Sequence, residues 1–225
     1  MVVFEDSNDD YSLACGMGRE DPTELIRAAD LGVTRLIAHA SLHLEHLSAA
    51  FLADARDFFP PTDAWNSAAT LTTLTWERLV SLTLTSQLLS PDHDDSEIND
   101  LLQQAGAAAK RMPQLKIMEL WNGRMELACV FRYRAPRAWD RPAELTWKST
   151  WDFELEERAI APWRAVATQN TARCASGLQV NVESIDGSGI RSHGDAIPLL
   201  QLETEVARPV SLRQMKDEAR YLHAC

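Results

Sequence analysis

The chain has 225 residues, 45% hydrophobic and 24% charged, enough to bury a core without disulfide or metal staples. Its formal net charge of −11 repels phosphate backbones and anionic membrane surfaces, which excludes non-specific nucleic-acid and membrane partners. No stretch reaches the roughly 18 apolar residues of a membrane span, and MVVFEDSNDDYSLACGMGRED has no signal-peptide pattern, so a cytoplasmic or nuclear protein is expected.

Residues 1–21 read as a flexible acidic tail, and 22–225 as a single α/β domain. PTELIRAAD (22–30) has a helix-start Pro and an acidic first turn. VTRLIAHAS (33–41) reads as a strand. LHLEHLSAAFLADARDFF (42–59) places Leu44, Leu47, Phe51, Ala55 and Phe58 at helical spacing, and Pro60-Pro61 stops it. A loop spans 63–69. RLVSLTLTSQLL (78–89) reads as a strand, and the acids of SPDHDDSE cap a helix over 98–112. LKIMELWNG (115–123) is the next strand.

Each of these strands has the form Leu, two residues, then an alternating Leu/Ile run. The pattern predicts a leucine-rich-repeat-like layer of parallel strands and helices. The strands start near 33, 79 and 115, wider than the family's period, so a general α/β layer stays open.

The next stretch is aromatic and alternates in period 2. Residues 115–153 hold four of the seven Trp. Asn122-Gly123 suits a tight turn. Cys129, Phe131 and Tyr133 share one strand face, with Val130, Arg132 and Arg134 on the other. Leu145, Trp147, Ser149 and Trp151 share a face of the following strand, opposite Thr146, Lys148 and Thr150. An antiparallel meander extending the sheet is predicted. A helix follows over 156–174, with a true start near Ala161 because of Pro162. Then come a strand over 178–186, the turn DGSG (186–189), and a closing helix carrying Leu212, Met215 and Leu222 on one face.

RMPQLKIMELWNG, ACVFRYR and LTWKSTWDFELEERAIAPWRAVA resemble a fungal family of uncharacterised proteins with F-box and leucine-rich-repeat-like character. The resemblance covers residues 70–186. It implies an α/β repeat architecture and an adaptor-like role, without a recognisable F-box: the LPxEL-type opening of that module does not occur.

Several groups of residues bear on chemistry. Cys15, Cys129, Cys174 and Cys225 show no C-x-x-C spacing, so neither a disulfide framework nor a zinc knuckle is expected. His39, His43 and His46 lie close together but depart from H-E-x-x-H, and no metal is expected. The acids of PDHDDSE read as helix caps. GSGIRSHGD (187–195) matches neither phosphate-binding glycine pattern and reads as a loop. His39, His193 and Asp195 are the weak catalytic candidates, and no cofactor is implied.

Charge is unevenly spread: residues 110–174 carry twelve Lys/Arg against eight Asp/Glu. Trp121, Arg132, Arg134, Trp147, Lys148 and Trp151 form the candidate binding set, with the basic side facing an acidic partner. The leading expectation is a non-catalytic protein-interaction module that binds a protein partner through its sheet face. The alternative is a small enzyme or ligand-binding protein of fungal secondary metabolism, with a small molecule in a Trp-lined pocket near His39 or His193.

Overall fold

Two rows of apolar side chains run across the strands and organise the molecule. Leu47, Leu82, Met118, Tyr133 and Leu145 are register partners in one row, and Ala49, Leu84, Leu120, Phe131 and Trp147 in the next. All ten are buried in one cluster. The structure, a computed structural model, describes residues 2–5, 29–59, 75–136, 141–169 and 177–222.

The sheet has seven strands in sequence order: β1 Val2–Glu5, β2 His46–Asp54, β3 Ser81–Thr85, β4 Ile117–Arg124, β5 Leu127–Arg134, β6 Ala143–Ser149 and β7 Leu178–Ser184. β1 to β4 are parallel, β4–β5 and β5–β6 antiparallel, and β6–β7 parallel. The helices are α1 Leu31–Ala40, α2 Ala55–Phe58, α3 Asp95–Ala109, α4 Glu157–Gln169, α5 His193–Leu200 and α6 Pro209–Leu222.

The α/β class and the antiparallel meander are present as expected. The repeat-like layer is not confirmed. A repeat layer leaves one sheet face clear of helices. Here α1 to α4 contribute to the apolar cluster on one face. On the other, Ala196, Leu200 and Met215 of α5 and α6 pack with Trp121, Ala128 and Val130.

The first expected strand is corrected. Residues 33–40 lie in α1, where the Asp30 carboxylate caps by accepting from Val33 N at 2.9 Å and Thr34, Ile37 and Ala38 are buried. The expected helix over 42–59 contains β2. This strand is covered on both faces, so both sets of its side chains are apolar or small and period 2 is erased.

Three smaller corrections follow. Val2–Glu5 pairs with β2, and the rest of the expected tail, 6–21, lies outside the described residues. Asn122 and Gly123 belong to β4, and the turn falls on Met125-Glu126, where Glu126 takes φ 61°. α4 starts at Glu157, so Pro162 lies within it rather than in its first turn.

The proline ring is packed where α4 crosses α3. A Cβ on Gly106 of α3 would meet Pro162 Cβ at 2.7 Å, and Trp163 Nε1 donates to Leu102 O at 3.0 Å. Trp163 then packs on Phe131 and Tyr133, tying both helices to the sheet. Gly106→Ala should lower stability although alanine favours helix by about 1 kcal/mol, because overpacking against a rigid ring costs about 1–3 kcal/mol. A lowered denaturant midpoint with an unchanged slope is the expected result.

Candidate functional site

On the α5/α6 face the strands carry polar rows. Ser48, Thr83, Glu119, Arg132, Thr146 and Asn181 are register partners. Glu119 is fully buried and Arg132 is 8% exposed. Arg132 Nε donates to Glu119 Oε1 at 2.7 Å. Arg132 Nη2 also donates to the carbonyls of Leu200 at 3.1 Å and Gln201 at 2.7 Å. The Glu119 carboxylate accepts from Glu203 N at 3.0 Å and Thr204 N at 3.3 Å. The pair therefore ties the chain after α5 to the sheet.

The expected basic face is not free. Arg132 is enclosed in this network. Arg134 pairs with Glu144 at 2.8 Å and with Glu203, and Lys148 lies 4.0 Å from Glu183. The two glutamates hold the Arg134 guanidinium above its usual range, although burial opposes them most strongly. Each cation of the candidate set faces a carboxylate of the same fold.

The tryptophans do not line a common pocket. Trp121 packs edge-on against Phe51 in the α5/α6 layer. Trp147 lies in the other layer, against Phe153 and Trp151 at ring distances of 4.1 and 5.7 Å. The sheet separates them.

His39 is exposed at the end of α1, a helix packed on the opposite sheet face from the Phe51 cluster that His193 joins. His193 is the first residue of α5, buried, with its ring 5.1 Å from Phe51. Asp195 completes the start of α5: its N–H donates to Ser192 Oγ at 3.3 Å, and its carboxylate accepts from Arg191 N at 3.1 Å. GSGIRSHGD therefore contains a capped helix start, not only a loop. Cys129 is buried, and desolvation pushes its thiol well above the ordinary value. The other three cysteines lie outside the described residues.

His193 lies at a crevice near the carboxyl ends of β2 to β4, with Phe51, Asp54, Ser86, Asn122 and Arg124. Phe51 holds φ 61° where β2 bulges away from β3, a rare conformation for a bulky residue. Its N–H donates to Thr85 Oγ1 at 2.9 Å. The Asp54 carboxylate accepts from Arg56 N at 2.8 Å, Ser86 Oγ at 2.7 Å and Gln87 N at 2.8 Å. Burial nevertheless raises its pKa above the ordinary value of 3.8. The free volume is about 30 Å³, room for a water molecule and not for a substrate. Asp54 serves here as a joint between β2, α2 and β3.

Larger spaces lie elsewhere. A cleft of about 550 Å³ opens at the amino ends of β2 to β4, bounded by His46, Lys116, Arg134 and the segment Glu203–Glu205. A groove of about 480 Å³ runs beside β7, between Val182 and the aromatic pair Trp151 and Phe153. Asp95, Asp152, Glu154 and Glu183 surround this groove. Of the expected binding set, only Trp151 reaches it. Val182 was legible in LQVNVES, where Val180 and Val182 alternate with polar residues. That this strand is the last of the sheet among the described residues was not legible.

The fold and these sites define an α/β protein with a mixed sheet, an ion pair buried on its polar face, and open clefts at one end and one side. The chain belongs to the family of unknown function DUF6546, whose model matches residues 1–208. No F-box or leucine-rich-repeat family matches, so the resemblance drawn from the Trp-rich segments is corrected, and the F-box, repeat and fungal features do not carry over. No curated protein and no solved structure matches the chain. Among the described residues no helix is long and apolar enough to cross a membrane.

Arg132→Met should cost about 3–5 kcal/mol in denaturant melts, because it strands a buried carboxylate. Adding Glu119→Leu should not restore stability, since the amides of Glu203 and Thr204 and the carbonyls of Leu200 and Gln201 still lose partners. Asp54→Asn should cost about 1–3 kcal/mol, because an amide cannot accept at both positions and one donor is left unmet. Asp54 binds its proton more tightly in the folded than in the unfolded chain. Wild type therefore gains stability relative to Asp54→Asn as pH falls through the raised pKa, checked by melts across the acid range.

Proposed function

We propose that this chain is a non-catalytic protein-interaction module that takes an extended, basic segment of a partner along β7. The carrying observation is the character of that strand. Among the described residues β7 pairs only with β6, so its outer edge offers backbone donors and acceptors to an added strand. Val182 is 61% exposed on the same sheet side as Trp147, beside the Trp151–Phe153 groove. The four carboxylates of the groove set the sign of the partner. A segment that alternates apolar and basic side chains would place one set on Val182 and Trp151 and the other near Asp152 and Glu183. The acidic net charge of the chain favours the encounter.

The proposal keeps a protein partner and moves its seat from the sheet face to the sheet edge. The face is the poorer seat because α5 and α6 pack on it and its cations already face carboxylates.

A labelled octapeptide alternating valine and lysine is the probe, and one alternating valine and glutamate the control. The lysine peptide should bind, more weakly as salt rises, and should slow amide exchange over 178–184. Asp152→Lys and Val182→Lys should each weaken it about tenfold while leaving thermal unfolding unchanged. Equal binding of both peptides, or exchange protection confined to other strands, overturns the reading.

A further inference from the structure

We propose that the cleft at the amino ends of β2 to β4 binds a small zwitterion with an apolar side chain, of the size of a free amino acid. The cleft has about 550 Å³ of space, within the range of small-molecule sites. Its walls carry charges of opposite sign that do not neutralise one another. Lys116, just before β4, is exposed and forms no ion pair with a described residue. Glu205, on the segment that closes the other side, is likewise exposed and without an ion pair among the described residues. The other polar groups of the cleft have partners: Arg134 pairs with Glu144 and Glu203, and His46 Nδ1 is hydrogen-bonded to Ser81 Oγ at 2.8 Å.

A ligand with a single charge would meet one of these free groups and be repelled by the other. A zwitterion satisfies both, its carboxylate toward Lys116 and its ammonium toward Glu205. Val80, Ile117, Ala135 and Pro136 supply an apolar lining for the side chain. The Glu203–Glu205 wall is itself placed by the buried Glu119 carboxylate, through the amides of Glu203 and Thr204. The site is thus held by the core rather than by a free loop.

This site is separate from the β7 groove, so either proposal can fail alone. Three probes test it by calorimetry and NMR titration: L-leucine, N-acetyl-L-leucine without the ammonium, and L-leucinamide without the carboxylate. Leucine should bind best and shift the amide signals of residues 46, 81, 116–117, 134 and 203–205. Lys116→Gln should weaken leucine and N-acetyl-leucine about fivefold and, by removing a repelling charge, tighten leucinamide. Glu205→Gln should weaken leucine and leucinamide and, by removing a repelling charge, tighten N-acetyl-leucine. If leucine at millimolar concentration shifts no signal in the cleft, or if neither variant separates the three probes, the proposal is overturned.

Discussion

The Glu119–Arg132 pair is the constraint on which the second layer of this protein depends. Two charges withdrawn from water cost several kcal/mol each unless nearly every donor and acceptor is met. Here the carboxylate accepts from Arg132 and from two backbone amides, and the guanidinium donates to two backbone carbonyls. Those four backbone groups belong to consecutive or nearly consecutive residues, 200 to 204. Gln201 turns the chain out of α5 with φ 50°, and its carbonyl and those amides then point at the sheet. The pair is therefore a register pin between sheet and lid more than an isolated source of stability.

The pin explains how so polar a sheet face can be covered. A β-sheet between two helical layers is ordinarily apolar on both sides. On this face Ser48, Thr83, Glu119, Arg132 and Thr146 cross the strands in one row, with Trp121 and Val130 in the next. The apolar contacts of α5 and α6 fall on that second row. At Gly194 the two helices approach so closely that a Cβ would lie 2.5 Å from the backbone nitrogen of Lys216 in α6. Small residues and a buried pair together let this layer close without a large hydrophobic stripe.

The amino-end cleft lies where that closure stops, whereas the β7 groove lies on the opposite face of the sheet. The amino-end cleft is bounded by the segment that leaves the pin, and the β7 groove lies at the edge strand. The carboxyl-end crevice is different: strain at Phe51 and the desolvated Asp54 are absorbed by the joint between β2, α2 and β3. Unusual backbone and a shifted carboxyl often mark function. In a space of about 30 Å³ they describe a structural corner.

Period 2 made β4, β5 and β6 legible, because Cys129, Phe131 and Tyr133 face the thick layer while Val130, Arg132 and Arg134 face the other. α3 was legible from its acidic start and its Ile98, Leu101, Leu102 and Ala105 face. β2 was not, since burial on both sides removes the alternation that marks a strand, and its Leu47–Phe51 spacing imitates a helix. The Asp30 cap of α1 is present in the sequence, but the β-branched Val33, Thr34 and Ile37 after it read as a strand. For the site, local pattern placed Arg132 and Arg134 on one face correctly. It could not reveal that Glu119 and residues 200–204 would enclose Arg132, because those partners lie 13 and about 70 residues away. Strand identity and facing are local consequences of side-chain alternation, and the sequence by itself determined them. Which charges are buried, which strand is left at the edge and which clefts remain open depend on long-range pairing, and only the tertiary structure decided those.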